Sequence, residues 1–319
     1  MAADSLIFMF PGQNSRYPEM VEKIAAENAI CAAALDRASA ILGRDLAAHY
    51  RSGNAGMFAR NRDVQIGIFI ANHLHMLLLK DAGIHADWSL GMSLGEYNHL
   101  VHVGALTFED ALALIEERGR LYEEGPLGVM VSVFPVEAEV VERKIEELGL
   151  EGRVAVGLYN SPRQQVLSGE HEAVFPLIAA LEEDQLIEFI EIDPLMPMHS
   201  PIFAPVAEKF RDVLAGTRIE APRLAYVPNV TGTVLFEASP DDVRSHLASH
   251  ICASVLWQAS VDSLASRVSN AHFVEVGPRA VLSNLFGRGW MPGRRSKTDA
   301  GENWPQHIRA LIAELHNGR

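Results

Sequence analysis

The chain has 319 residues, with 27 Lys and Arg against 41 Asp and Glu and a formal net charge of −14, which excludes a nucleic-acid binder because counterion release at phosphates needs a basic surface. Hydrophobic residues at 48% and charged residues at 21% supply a large core and exclude disorder as the main state. Two cysteines, Cys31 and Cys252, make neither a disulfide framework nor a metal or redox spacing, and no stretch reads as a secretion signal or a membrane span, so a cytoplasmic protein with no membrane contact is expected, monomeric by default.

Leu6–Phe10 has the pattern of a short buried strand and runs into the turn-rich loop Pro11-Gly12-Gln13-Asn14-Ser15, whose free backbone N–H groups make it a site candidate. Helical periodicity covers Met20–Leu42 and Val64–Lys80, and a second strand is expected over Ala86–Leu90. Strand, helix and strand in this order point to a parallel α/β sheet. From about Val129 the rhythm changes. A strand over Val129–Pro135, a helix over Val136–Leu148, strands over Arg153–Tyr159 and Gln164–Ser168, a helix over His171–Glu183 and a strand over Leu186–Ile192 give the order βαββαβ, the signature of a ferredoxin-like domain. The expected fold class is α/β: a large subdomain with a parallel sheet, residues 1–127 and 197–319, carrying an inserted ferredoxin-like small subdomain, residues 128–196. Arg223–Val227 and Ala271–Val276 are expected as further strands of the large subdomain, and Gln306–Leu315 as a final helix.

Gly91-Met92-Ser93-Leu94-Gly95 sits between the Ala86–Leu90 strand and the helical run Glu96–Val103. A sharp strand-to-helix turn flanked by glycines exposes a serine hydroxyl at the strand end over a helix amino terminus, the context of a nucleophile elbow. A serine needs a base to take its proton. Among 13 histidines, His199 is the best candidate, because it lies where the inserted segment returns to the large subdomain and so on the wall of a cleft between the two. His99 and His102 lie one turn apart but lack a third ligand, so no metal site is expected; His73 and His75 read as satisfied structural residues. The helix that begins at Thr107, capped with Asp110 in the manner of a capping box, has the apolar stripe Ala111, Leu114, Ile115, Leu121 and Tyr122, with Arg118 inside it. A guanidinium on a buried face needs a carboxylate, supplied either by an internal Asp or Glu or by a substrate.

With these motifs in place, the chain resembles the malonyl-CoA:acyl-carrier-protein transacylase family, including the acyltransferases of polyketide and fatty-acid synthases, from about Phe8 to about Trp290. Phe10-Pro11-Gly12-Gln13, Gly91 to Glu96, Arg118-Gly119, Asn160-Ser161-Pro162 with Val166 to Gly169, His199-Ser200-Pro201, Pro228 to Gly232 and Val274 to Pro278 carry the resemblance, the Pro228 segment as a strand. It implies an α/β-hydrolase-like large subdomain and a ping-pong acyltransferase without a cofactor. Ser93 would be the nucleophile, His199 the general base and acid, the backbone N–H groups of Gln13 and Leu94 the oxyanion hole, and Arg118 the clamp for the malonyl carboxylate. The implied substrates are malonyl-CoA and the phosphopantetheine thiol of an acyl carrier protein. A backbone carbonyl orients the histidine in this family, at the position that is His250 here.

Two residues depart from the family pattern: Met92 where His is common, and His250 where Gln is. Met92 and Met198 are expected to border the substrate, and Met198 just before the catalytic histidine favours malonyl over methylmalonyl, although one methyl is worth only about 1–3 kcal/mol. The alternative activity on the same scaffold is a hydrolase that removes acyl groups from carrier proteins; a buried Arg118 argues against it. A noncatalytic docking module would not need both Ser93 and His199. Arg288, Arg294, Arg295 and Lys297 are candidates for a basic patch that docks the carrier protein, with a solvated tail as the other reading.

Overall fold

In the computed structural model, residues 5–287 and 289–317 are described. Among the described residues, eight strands fall into two sheets: β1 Ser5–Phe10, β2 Trp88–Gly91, β3 Val129–Phe134, β4 Val154–Ser161, β5 Gln164–Gly169, β6 Glu188–Asp193, β7 Ala271–Glu275 and β8 Arg294–Lys297. The first sheet has the order β2-β1-β7-β8 with every pair parallel. β1 at its centre is fully apolar and buried beyond its first residue, as a strand covered on both faces must be.

The helices of the first half are α1 Glu22–Glu27, α2 Ala29–Leu42, α3 Leu46–His49, α4 Asn61–Asp81, α5 Gly95–His102 and α6 Phe108–Glu123. The expected helix over Met20–Leu42 is broken at Asn28, which is extended and whose side chain accepts from the N–H groups of Ile30 and Cys31. An asparagine that caps a new helix outcompetes continuation of the old one. α4 packs against α2, α5 and α6, and α5 against β1 and β2.

Residues 129–193 build the second sheet, of order β4-β5-β3-β6, with α7 Ala138–Glu147 and α8 His171–Asp184 between strands. All pairings are antiparallel, and the first strand lies between the third and fourth, the ferredoxin-like arrangement that the element order implied. One face packs on α7 and α8 through Val129, Val131, Val133, Val141 and Leu177. The other face carries Met130, Leu158 and Val166, which join the core of the first sheet. The period of two in these strands therefore assigns one set of side chains to a private core and the alternate set to the space between the two sheets.

The chain returns through α9 Ala204–Ala215, α10 Pro240–His250, α11 Trp257–Ala265 and α12 Trp304–Asn317. Two expectations fail here. Arg223–Val227 is not a strand of the parallel sheet; it makes one isolated antiparallel bridge, Tyr226 to Leu235, and Pro228 to Gly232 forms a turn instead of a strand. The fourth strand of that sheet is β8, the basic segment read as a patch or tail. Its polar side chains hid it, since an edge strand beside β7 need bury only one face. The segment before α11 stitches the two halves together: Val255 exchanges backbone hydrogen bonds with Gly157 and Tyr159 at 2.8 and 3.0 Å, and Ser254 Oγ donates to Val156 O at 2.8 Å.

Replacing Asn28 by Ala should cost about 1 kcal/mol of stability, read as a lower urea midpoint with an unchanged slope; an unchanged midpoint would show that α1 and α2 need no cap at their junction.

Candidate active site

The nucleophile motif forms the turn from β2 into α5. Ser93 has φ of +51°, the left-handed region that a β-carbon disfavours, so the surroundings must hold it there. Its neighbours show how. A Cβ on Gly91 would lie 2.1 Å from Gly95 O, and one on Gly95 would lie 2.0 Å from Phe10 O, so only glycines let the turn close against itself and against β1. Asn229 completes the clamp: its Oδ1 accepts the Ser93 N–H at 2.7 Å and its Nδ2 donates to Gly91 O at 2.6 Å.

His199 also has positive φ, +59°. Its Nδ1 is 2.8 Å from the His250 carbonyl and its Nε2 is 2.7 Å from Ser93 Oγ. A carbonyl only accepts, so Nδ1 carries the hydrogen and Nε2 offers its lone pair to the Ser93 hydroxyl. The His199 N–H donates to Ile251 O at 3.2 Å, and the Met198 carbonyl accepts from Ser168 Oγ at 2.5 Å, which ties this segment both to the end of α10 and to the second sheet. His199 is buried, and burial first, then the Arg118 charge, push its pKa down to about 3 against the opposing backbone contacts of His250 and Ala253. It is neutral in the resting site.

The N–H groups of Gln13 and Leu94 donate to no hydrogen bond among the described residues. Gly12 adjoins the Met92 carbonyl and the Ser93 β-carbon, so the Pro11–Ser15 loop borders the nucleophile. Ser93 N–H is already engaged by Asn229, which leaves the next residue in the chain as the free donor.

Arg118 is 1% exposed. No internal Asp or Glu pairs with it among the described residues; its Nη1 donates to Gln65 Oε1 at 2.6 Å, while Nε and Nη2 have no hydrogen-bond partner. The guanidinium carbon lies 4.4 Å from the centre of the Tyr122 ring and 5.6 Å from that of Tyr97, cation–π contacts that offset part of the cost of burying the charge. Arg120, on the other face of α6, is instead half-exposed between Glu117 and Glu124.

In front of Ser93 and His199 lies a cavity of about 310 Å³. Met130, Phe134, Leu158 and Val166 of the second sheet form one wall, Gln13, Met92 and Met198 another, and Val281 and Leu285 the rim. Gln13 Nε2 donates to Met198 Sδ at 3.6 Å. The rim loop is held by Glu275 at the end of β7, whose carboxylate accepts the N–H groups of Leu282 and Ser283 at 2.9 and 2.8 Å.

The remaining histidines do other things. Ser89 Oγ lies between His99 Nδ1 at 2.6 Å and His102 Nδ1 at 2.9 Å, and His99 Nε2 accepts the Val227 N–H. His73 stacks on Phe108 with its Nδ1 buried and without a hydrogen-bond partner among the described residues, and His75 has neither ring nitrogen hydrogen-bonded among them, so neither is the fully satisfied residue expected. Of the basic cluster, Arg288 lies outside the described residues, Arg294 pairs with Glu314, and Arg295 donates to the Ser283 and Phe286 carbonyls. Asn229, Gln65 and Glu96 were not singled out as site residues, although Glu96 and Asn229 lie in two of the motifs and Gln65 is a polar side chain in the apolar run that starts at Val64.

Asn229→Ala should lower stability by about 2 kcal/mol, from two buried hydrogen bonds, and slow labelling of Ser93 by a fluorophosphonate on the order of 10-fold through a misplaced hydroxyl; wild-type labelling in a folded variant would show that the elbow holds without it.

The acyl transferase domain family model matches residues 7–301. The malonyl CoA-acyl carrier protein transacylase of Escherichia coli strain K12 is 32% identical over 286 residues, 88% of this chain and 91% of that one. The crystal structure of FabD from Acinetobacter baumannii superposes with a TM-score of 0.90 at 26% identity, over 100% of both chains. A malonyl-transacylase solved in complex with a holo type II polyketide synthase acyl-carrier protein superposes with a TM-score of 0.88 at 27% identity, over 98% of this chain and 100% of that one. With its parallel sheet, its inserted antiparallel sheet and its serine elbow in the matched region, the chain belongs to the acyl transferase domain family, among the malonyl CoA-acyl carrier protein transacylases.

Proposed function

We propose that the protein transfers a malonyl group from malonyl-CoA, through an ester on Ser93, to the phosphopantetheine thiol of an acyl carrier protein in fatty-acid or polyketide synthesis. The observation that carries this reading is the coincidence of the 2.7 Å contact between Ser93 and a neutral, carbonyl-anchored His199 with a buried arginine that has two unmatched nitrogens.

Ser93 Oγ attacks the thioester carbonyl as its proton passes to His199 Nε2, and the developing oxyanion is met by the free N–H groups of Gln13 and Leu94. The C–S bond breaks and CoA leaves as the thiol with the proton from His199. In the second half the carrier thiol attacks the Ser93 ester, gives its proton to His199, and the C–O bond breaks with that proton returned to Ser93. The His250 carbonyl keeps His199 in the reactive tautomer throughout. Arg118 binds the free carboxylate of the malonyl group, which supplies the charge its own fold leaves out. No step requires a cofactor. The apolar walls, with Met92 and Met198 beside the nucleophile, shield the ester from water and limit room at the α-carbon, which favours malonyl over methylmalonyl. The division of the chain into residues 1–127 with 197–319 and an insert of residues 128–196 is part of this reading, as is a cytoplasmic place of work; the confinement of the antiparallel sheet to residues 129–193 supports the first.

Intact-protein mass spectrometry after brief exposure to malonyl-CoA should show a malonyl adduct that disappears in Ser93→Ala, falls by about 2 kcal/mol of transition-state stabilisation or more in Arg118→Ala, and is discharged by a holo carrier protein. Equal labelling by acetyl-CoA independent of Arg118, or loss of the adduct to water, would replace transfer by hydrolysis.

A further inference from the structure

The mechanism uses the carbonyl of His250 and leaves its side chain idle. That imidazole is fully buried and lies against His199, with ring centres 4.9 Å apart and planes inclined by 26°. Its Nδ1 is 3.3 Å from Glu96 Oε2, within ion-pair range but without the angle of a hydrogen bond, and neither ring nitrogen is hydrogen-bonded among the described residues. A buried polar ring left so costs about 1–3 kcal/mol, and such groups in folded proteins call for a reason. Glu96 is equally buried at the start of α5, where it accepts the Tyr226 hydroxyl at 2.5 Å and the Asn229 N–H at 3.3 Å.

We propose that Glu96 and the His250 side chain are positioning residues for the Ser93–His199 pair: the His250 ring stacks on His199, and Glu96 beside its Nδ1 places a carboxylate one ring away from the imidazolium formed when His199 takes the Ser93 proton. In a Ser–His–Asp site the carboxylate meets Nδ1 directly; here the His250 carbonyl occupies Nδ1, so the carboxylate acts across the stack. The groups that face the pair set its charges. His199 lies on one side of the His250 ring, Arg118 approaches from α6, and Tyr226, Tyr97 and the Asn229 backbone surround Glu96. Burial first, then His199 and Arg118, hold His250 neutral, well below the usual histidine range. Burial raises Glu96 to about 7, opposed by Tyr226, Asn229 and Arg118. Glu96 is therefore a neutral carboxyl below that pH and a carboxylate above it, and only the carboxylate balances a charged His199. Ser93 reactivity rises as Glu96 loses its proton.

The inference rests on Ser93 and His199 as the reacting pair and not on the acyl group transferred, so the test uses a fluorophosphonate: the Ser93 Oγ–P bond forms, fluoride leaves, and the serine proton goes to His199. The labelling rate of the wild type, read by intact mass, should rise about fivefold between about pH 6 and about pH 8 with a midpoint near that of Glu96. In Glu96→Gln and in His250→Phe, which keeps both the ring stack and the backbone carbonyl, the rate should be lower and flat over that range, with melting curves reporting that each variant is folded. A wild-type rate without a step near neutrality overturns the proposal, as does a folded His250→Phe with the wild-type profile, because a purely structural ring would leave the profile unmoved. No labelling of wild-type Ser93 at all would overturn the acyl-serine mechanism together with it.

Discussion

The close approach of the serine elbow to β1 is the constraint on which the rest of the molecule depends. With Gly95 pressed on the Phe10 carbonyl and Met92 N–H donating to that same oxygen at 3.0 Å, the turn after β2 has no freedom to relax out of its left-handed conformation. The strain at Ser93 is offset by the burial of β1, by the two Asn229 hydrogen bonds and by the parallel pairing of β1 with β2 and β7. A hydroxyl fixed in this way loses little further entropy when it reacts. The same approach brings the Pro11–Ser15 loop, with the Gln13 N–H that donates to no hydrogen bond among the described residues, beside Ser93.

The second sheet turns this elbow into a cleft. Its helix-facing side chains form a core of their own, while the alternate set looks across at Ser93 and His199, and the chain re-enters the large part through the His199 segment itself. That segment is fixed at both ends, by Ile251 and His250 on one side and by Ser168 on the other. His199 is therefore held at the junction of the two parts.

Buried charged and titratable groups cluster around His199 and His250. Arg118 is desolvated, with the Gln65 amide as its hydrogen-bond partner and the Tyr97 and Tyr122 rings against its guanidinium, and two of its nitrogens have no partner among the described residues. Burial first, and then the Arg118 field, keep His199 neutral. Glu96 meets the edge of the His250 ring, with Oε2 3.3 Å from its Nδ1.

The βαββαβ insert, the glycine-framed serine after a strand and the buried arginine in an apolar helical stripe were legible in the chain, because each is a local pattern; His199 was singled out only by its place where the insert returns to the large part. The break at Asn28, the strand character of Arg294–Lys297 and the lone bridge at Tyr226 were not legible, since capping, edge pairing and the competition between neighbouring segments are decided by what packs alongside. The same limit applied at the site. Whether Arg118 meets an internal carboxylate, that Asn229 clamps the nucleophile across 136 positions, and that His250 stacks on His199 while facing Glu96 all depend on distances between segments far apart in sequence. Local sequence pattern marked which residues were candidates for the site; only tertiary packing decided which of their neighbours would set their charge and hold them in place, because those partners are chosen by the shape of the closed core and leave no period in the chain.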